Sequence, residues 1–152
     1  MATVYLGVGS NIGDRQAHIQ KATALLREHE DIQVLSVSAL IETEPVGTIP
    51  QGKFLNGALK IKTDLMPNDL LSALKSIERR CGRAKHEPNV PRTLDLDILL
   101  YDDVVIVEGK TLSIPHPRMA ERYFALKPLS EIAPDAVHPR LGVTVRELLE
   151  RL

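Results

Sequence analysis

The chain has 152 residues, of which 43% are hydrophobic and 26% charged, with a formal net charge of -1. That size and mix suit one soluble domain over residues 1–152 with a full core, and the near-neutral charge argues against a nucleic-acid partner. The lone cysteine, Cys81, cannot form an internal disulfide; with no basic-then-apolar leader and no apolar run of spanning length, a cytoplasmic location without a membrane partner is expected.

In chain order, residues 3–8 read as a short buried strand and residues 9–14 as a turn leading into a helix. From 15 to about 29, Ile19, Ala22, Leu25 and Leu26 recur at helical spacing, with Asp14 placed to cap the first turn. Residues 33–43 alternate apolar and polar, as one strand does. Pro45, Gly47, Pro50 and Gly52 make 44–53 a loop, and 54–63 reads as the next strand. Pro67 opens a second helix whose stripe is Leu70, Leu71, Leu74 and Ile77, and Gly82 stops it. A polar loop over 83–91 precedes a strand over 94–100, and 104–107 is expected to pair locally. Prolines at 115, 117, 128, 134 and 139 cut the tail into short pieces, and Thr144 caps a last helix over 145–152. Strand, helix, strand, strand, helix, strand is the order of an α+β ferredoxin-like sandwich: an antiparallel sheet with both helices on one face, here with a C-terminal extension.

Two nucleotide-binding patterns fail. The glycines at 7, 9 and 13 miss the dinucleotide spacing by one position, and Gly47, Gly52 and Lys53 are followed by Phe54 where a phosphate-binding loop needs Ser or Thr. The five histidines show no zinc spacing. A third pattern is more informative. On a strand, Leu94, Leu96 and Ile98 face one way, and Asp95 and Asp97 face the other, about 7 Å apart. Like charges side by side favour a compensating cation, and magnesium takes one or two carboxylates together with phosphate oxygens and water. Arg79, Arg80, Arg83, Lys85 and Arg92 cluster upstream, and Arg118 and Arg122 follow. Carboxylates for metal beside arginines for phosphate are the parts of a phosphoryl-transfer site. By spacing alone, the pair reads equally well as a hydrated strand edge with surface arginines around it.

The stretch Pro91-Arg92-Thr93-Leu94-Asp95-Leu96-Asp97-Ile98 resembles the signature of the 6-hydroxymethyl-7,8-dihydropterin pyrophosphokinases. Supporting blocks follow in order: Gly9-Ser10-Asn11, Thr43-Glu44-Pro45, Phe54-Leu55-Asn56, Glu78 with Gly82-Arg83, Pro115-His116-Pro117-Arg118 and Glu131-Ile132-Ala133-Pro134. The resemblance implies pyrophosphoryl transfer from ATP to the pterin hydroxymethyl group in folate synthesis, leaving AMP. It implies that Asp95 and Asp97 bind two magnesium ions and that Arg83 and Arg92 steady the triphosphate. Asn56 with Thr43, Pro45 and Val46 would hold the pterin edge, and Phe54 and Phe124 would sandwich its ring. Glu78, Ile98, Ser113, His116 and Arg122, with Arg92, would line the ATP side. Plain core packing is the other reading of each phenylalanine. The expected partners are ATP and the pterin, with the protein a monomer, and loops 44–53 and 83–91 are expected to close over them. A non-catalytic binding module and an RNA-binding domain on the same architecture are the competing readings; the intact acidic pair disfavours the first, and an aromatic content of 3% the second.

Overall fold

The computed structural model describes residues 1–45, 47, 50–82, 93–107 and 111–152. Their elements, in order, are β1 (Ala2–Ser10), α1 (Arg15–Glu28), β2 (Ile32–Val37), β3 (Ile41–Thr43), β4 (Phe54–Thr63), α2 (Pro67–Arg80), β5 (Asp95–Tyr101), β6 (Ile106–Val107), β7 (Ser113–Ile114), α3 (Tyr123–Ile132) and α4 (Val145–Glu150). The main sheet runs β2-β4-β1-β5 with every pairing antiparallel, and β3 adds to β4 beside β2. That is the order of a ferredoxin-like sandwich in which β2 and β3 share one strand's place. The pairing expected near 104–107 is the β6–β7 hairpin.

The local chemistry of the first two helices follows the expected rules. The Asp14 carboxylate accepts the Ala17 N–H at 3.1 Å, Pro67 occupies the first turn of α2, and Gly82, with φ +94°, takes the left-handed conformation after it. Thr144 and Glu147 form a reciprocal capping box at α4.

One sheet face is covered by α1 and α2. Val4, Leu6, Leu59, Ile61, Leu96 and Ile98 from the strands pack there against Ile19, Leu26, Leu70, Leu74 and Ile77. The other face is covered by the C-terminal extension. Ala58, Leu99 and Leu100 are buried there under Leu126 and Leu129 of α3 and Val145 and Leu148 of α4. The layers are therefore three, and the prolines do not break the tail as expected. Pro128 lies inside α3, and burial of Ala125, Leu126 and Leu129 holds that helix together around it.

The alternation over 33–43 is also broken. Ser38 interrupts it: its N–H donates to the Ala58 carbonyl, and its Oγ accepts the Ala58 N–H. Ala39 N–H then donates to Glu131 on α3 at 3.1 Å, so the strand splits into β2 and β3.

Candidate active site

The covering of the second sheet face by α3 stops short of one end, and the candidate site lies there. In cross-strand register Gly9 sits between Asn56 of β4 and Asp95 of β5, and Gly7 between Ala58 and Asp97. Residues directly opposite one another share a face, so the two glycines leave a bare floor between the amide and the carboxylates. A side chain at Gly9 has no room: a Cβ there would lie 2.7 Å from Asn56 Oδ1, whereas one at Gly7 would meet Leu99 at an ordinary 3.6 Å. Gly7, Gly9, Asn56, Asp95, Asp97 and Leu99 line one cavity with His116, Met119, Arg122, Phe124 and Ala125. Two of the three glycines that failed the dinucleotide pattern, Gly7 and Gly9, are thus the floor of this pocket. The usable signal was their common strand face, but it needed the register to β4 and β5 before it meant anything.

On the β4 side, Asn56 is buried and its Nδ2 donates to Thr43 Oγ1 at 2.6 Å. Thr43 is paired with Phe54 across the short β3–β4 ladder. Phe54 is half-buried, with Cδ1 3.6 Å from where a Gly9 Cβ would be. Across the cavity, Phe124 stands at the start of α3 with the Arg122 guanidinium carbon 5.3 Å from its ring centre.

On the β5 side, a bulge opposite Tyr5 and Leu6 leaves Leu99 outside the regular register. Its carbonyl accepts the His116 N–H at 3.0 Å, which ties the Pro115–Pro117 turn to the site. His116 Nδ1 accepts the Arg118 N–H at 3.3 Å, leaving the ring proton on Nε2. Burial pulls His116 below the ordinary histidine value; Arg122 adds to that and Asp95 opposes it. Burial also lowers Arg122, against the pull of Asp97 and Asp95, and it stays a cation. Acid, imidazole and guanidinium groups therefore share one electrostatic environment.

Asp95 and Asp97 are half-buried and alternate with buried Leu96 and Ile98, as the strand periodicity predicts. Among the described residues no cluster of three or more His, Cys, Asp or Glu side chains could hold a metal ion. Two hard carboxylates with an incomplete shell suit magnesium, which accepts water and phosphate oxygens for the rest.

Other expected residues sit elsewhere. The Ile98 side chain is buried in the α1–α2 core, so only its backbone is available on the site side. Glu78 is buried on α2, and its Oε2 accepts the Leu96 N–H at 2.8 Å, bracing the open edge of β5 between the two aspartates. Ser113 lies half-buried on β7, paired with Val107, and is not among the residues lining the cavity. Pro45 is half-buried just beyond β3. Val46, Arg83 and Arg92 lie outside the described residues, as do 48–49 and 83–91, on which most of the expected loop closure falls.

Comparison with known proteins gives the family. Residues 5–134 match the family described as 7,8-dihydro-6-hydroxymethylpterin-pyrophosphokinase (HPPK). This chain belongs to that family. It is 48% identical over 128 residues to the 2-amino-4-hydroxy-6-hydroxymethyldihydropteridine pyrophosphokinase of Bacillus subtilis, covering 84% of this chain and 76% of that one. The Aquifex aeolicus protein of the same name is 46% identical over 139 residues, 91% of this chain and 85% of the other. The folic acid synthesis protein fol1 of Schizosaccharomyces pombe is 47% identical over 97% of this chain, which spans only 20% of that longer protein. In structure, the wild-type Plasmodium falciparum HPPK-DHPS with pterin and p-hydroxybenzoate superposes with a TM-score of 0.78 at 19% identity, covering 99% of this chain and 43% of that one. That likeness shows the antiparallel α+β fold. No helix among the described residues is long and apolar enough to cross a membrane.

Proposed function

We propose that this HPPK-family chain transfers the pyrophosphoryl unit of ATP to 6-hydroxymethyl-7,8-dihydropterin in the cavity floored by Gly7 and Gly9, acting as one domain and as a monomer in the cytoplasm. The observation that carries the reading is the cross-strand row Asn56–Gly9–Asp95, which puts an amide suited to a heterocycle edge and a carboxylate suited to a hard cation on one floor. The pterin takes the Asn56 side. There the amide donates to and accepts from its pyrimidine edge, backbone at Thr43, Pro45 and Val46 completes the contact, and Phe54 and the Phe124 ring face away from Arg122 enclose the plane.

The triphosphate takes the β5 side. Asp95 and Asp97 hold two magnesium ions there, which when bound neutralise phosphate charge. Arg122, with Arg83 and Arg92, binds phosphate oxygens through planar donor forks, and His116 Nε2–H adds a neutral donor. Glu78 acts at one remove, holding the backbone between the two aspartates. The pterin hydroxymethyl oxygen forms the new bond to the β phosphorus. AMP leaves with the bridging oxygen, and the hydroxyl proton is released. Alignment and charge stabilisation supply the acceleration, with no protein nucleophile.

Product analysis tests this. Protein, ATP, magnesium and the pterin should give AMP and the pterin diphosphate, with AMP absent when either pterin or magnesium is withheld. ADP in place of AMP would mean transfer of a single phosphoryl group and would reject the reading.

A further inference from the structure

We infer that Arg15, which does not line the cavity, is a positioning residue for the pterin half of the site. The inference rests on the proposed reaction and concerns how its pterin pocket is held. Arg15 is the first residue of α1, and its two terminal nitrogens reach in different directions. Nη1 donates to the Lys53 carbonyl at 3.0 Å, and Nη2 donates to Glu42 Oε2 at 2.7 Å. Lys53 directly precedes Phe54, and Glu42 directly precedes Thr43; those are the paired residues at the open end of the β3–β4 ladder. One guanidinium therefore joins the last backbone unit before β4 to the middle of β3, next to the Thr43–Asn56 hydrogen bond.

The surroundings reinforce this clamp. Asn11, in the same β1–α1 turn, donates from Nδ2 to Gln51 Oε1 at 2.7 Å and to the Gly52 carbonyl at 3.2 Å. The turn thus grips three consecutive residues, 51 to 53, on the descending limb of the 44–53 loop. Lys53 Nζ lies 3.4 Å from Glu44 and 3.9 Å from Glu42, so the ascending limb is drawn to the same place. The Arg15 hydrogen bond holds Glu42 below its ordinary value, so the pair is charged across the neutral range. β3 is only three residues long, and among the described residues its strand partner is β4, so the clamp adds a hold on β3 beyond that ladder. Every contact of the clamp lies on the Phe54–Asn56 side of the floor, and Asp95 and Asp97 lie on the other.

Steady-state kinetics on Arg15→Ala, Arg15→Lys and Glu42→Gln test the inference, with Arg146→Ala, which breaks the remote Arg146–Asp135 pair, as control. Arg15→Ala should raise KM for the pterin by about fivefold, roughly what an exposed charge pair is worth, with KM for ATP unchanged. Arg15→Lys should fall between, because one ammonium cannot span both acceptors. Glu42→Gln should give a smaller rise in the same constant, and Arg146→Ala none. A lowered melting temperature with both KM values unmoved, or an equal rise in the two, would overturn the proposal while leaving the reaction in place. A wild type that forms no AMP would remove the reaction and this inference together.

Discussion

The two faces of the central sheet are built to opposite rules. Under α1 and α2 the strands present mainly Leu, Ile and Val to the apolar faces of the two helices. On the other face α3 covers Ala58, Leu99 and Leu100, and at one end leaves a cavity lined by Gly7, Gly9, Asn56, Asp95 and Asp97. The same strand supplies both: in β5 the residues that stabilise the protein and those proposed to do chemistry alternate one by one. Both faces carry a buried apolar cluster, but only the second also carries two carboxylates of like charge beside a guanidinium.

Substitutions on the two faces should therefore separate activity from stability. Asp97→Ala should lower turnover at least about a hundredfold, the scale of losing one preorganised electrostatic group, with the fold retained, since loss of the pull on Arg122 and relief of the like charge of Asp95 oppose each other. AMP release and a thermal melt on the same sample check it, and unfolding of the variant would break the contrast. Leu74→Ala on the opposite face should cost about 2–5 kcal/mol by denaturant titration while the folded fraction keeps its kcat, since Leu74 is fully buried among apolar neighbours far from any proposed ligand.

Gly9→Ala falls between these extremes. Its Cβ would press on Asn56 Oδ1, so it should cost about 1–3 kcal/mol of stability and also raise KM for the pterin. Gly7→Ala, which meets only Leu99, should be milder on both counts. The smallest effect belongs to the outer layer. Thr144→Ala removes the capping box of α4 and should cost about 1 kcal/mol with no change in either KM.

The sequence was most legible where structure is local. The helix bounds of α1 and α2, their caps, and the opposed faces of Asp95–Asp97 and Leu96–Ile98 all follow from periodicity within a few residues. What escaped depended on distant partners. The break at Ser38 is stabilised by Ala58 and by Glu131, 92 positions from Ala39. α3 was hidden because Pro128 opposes a helix locally, and only the apolar patch of Ala58, Leu99 and Leu100 beneath it tips the balance. The resemblance sets Ile98 on the ATP side; on the strand its side chain faces the α1–α2 core, opposite Asp95 and Asp97, and its backbone is what reaches the site. The role of Gly7 and Gly9 required knowing that Asn56 and Asp95 flank the same residue.

The central claim is that the open end of the second face is a metal-dependent phosphate site held by Asp95 and Asp97. Calorimetric titration with a non-hydrolysable ATP analogue, with and without magnesium, tests it most directly when run on the wild type and on the Asp95→Asn, Asp97→Asn double variant. The account predicts saturable binding by the wild type that needs magnesium, and loss of that magnesium dependence in a double variant that melts normally. Equal binding with and without magnesium, or magnesium-dependent binding that survives in the double variant, would contradict it.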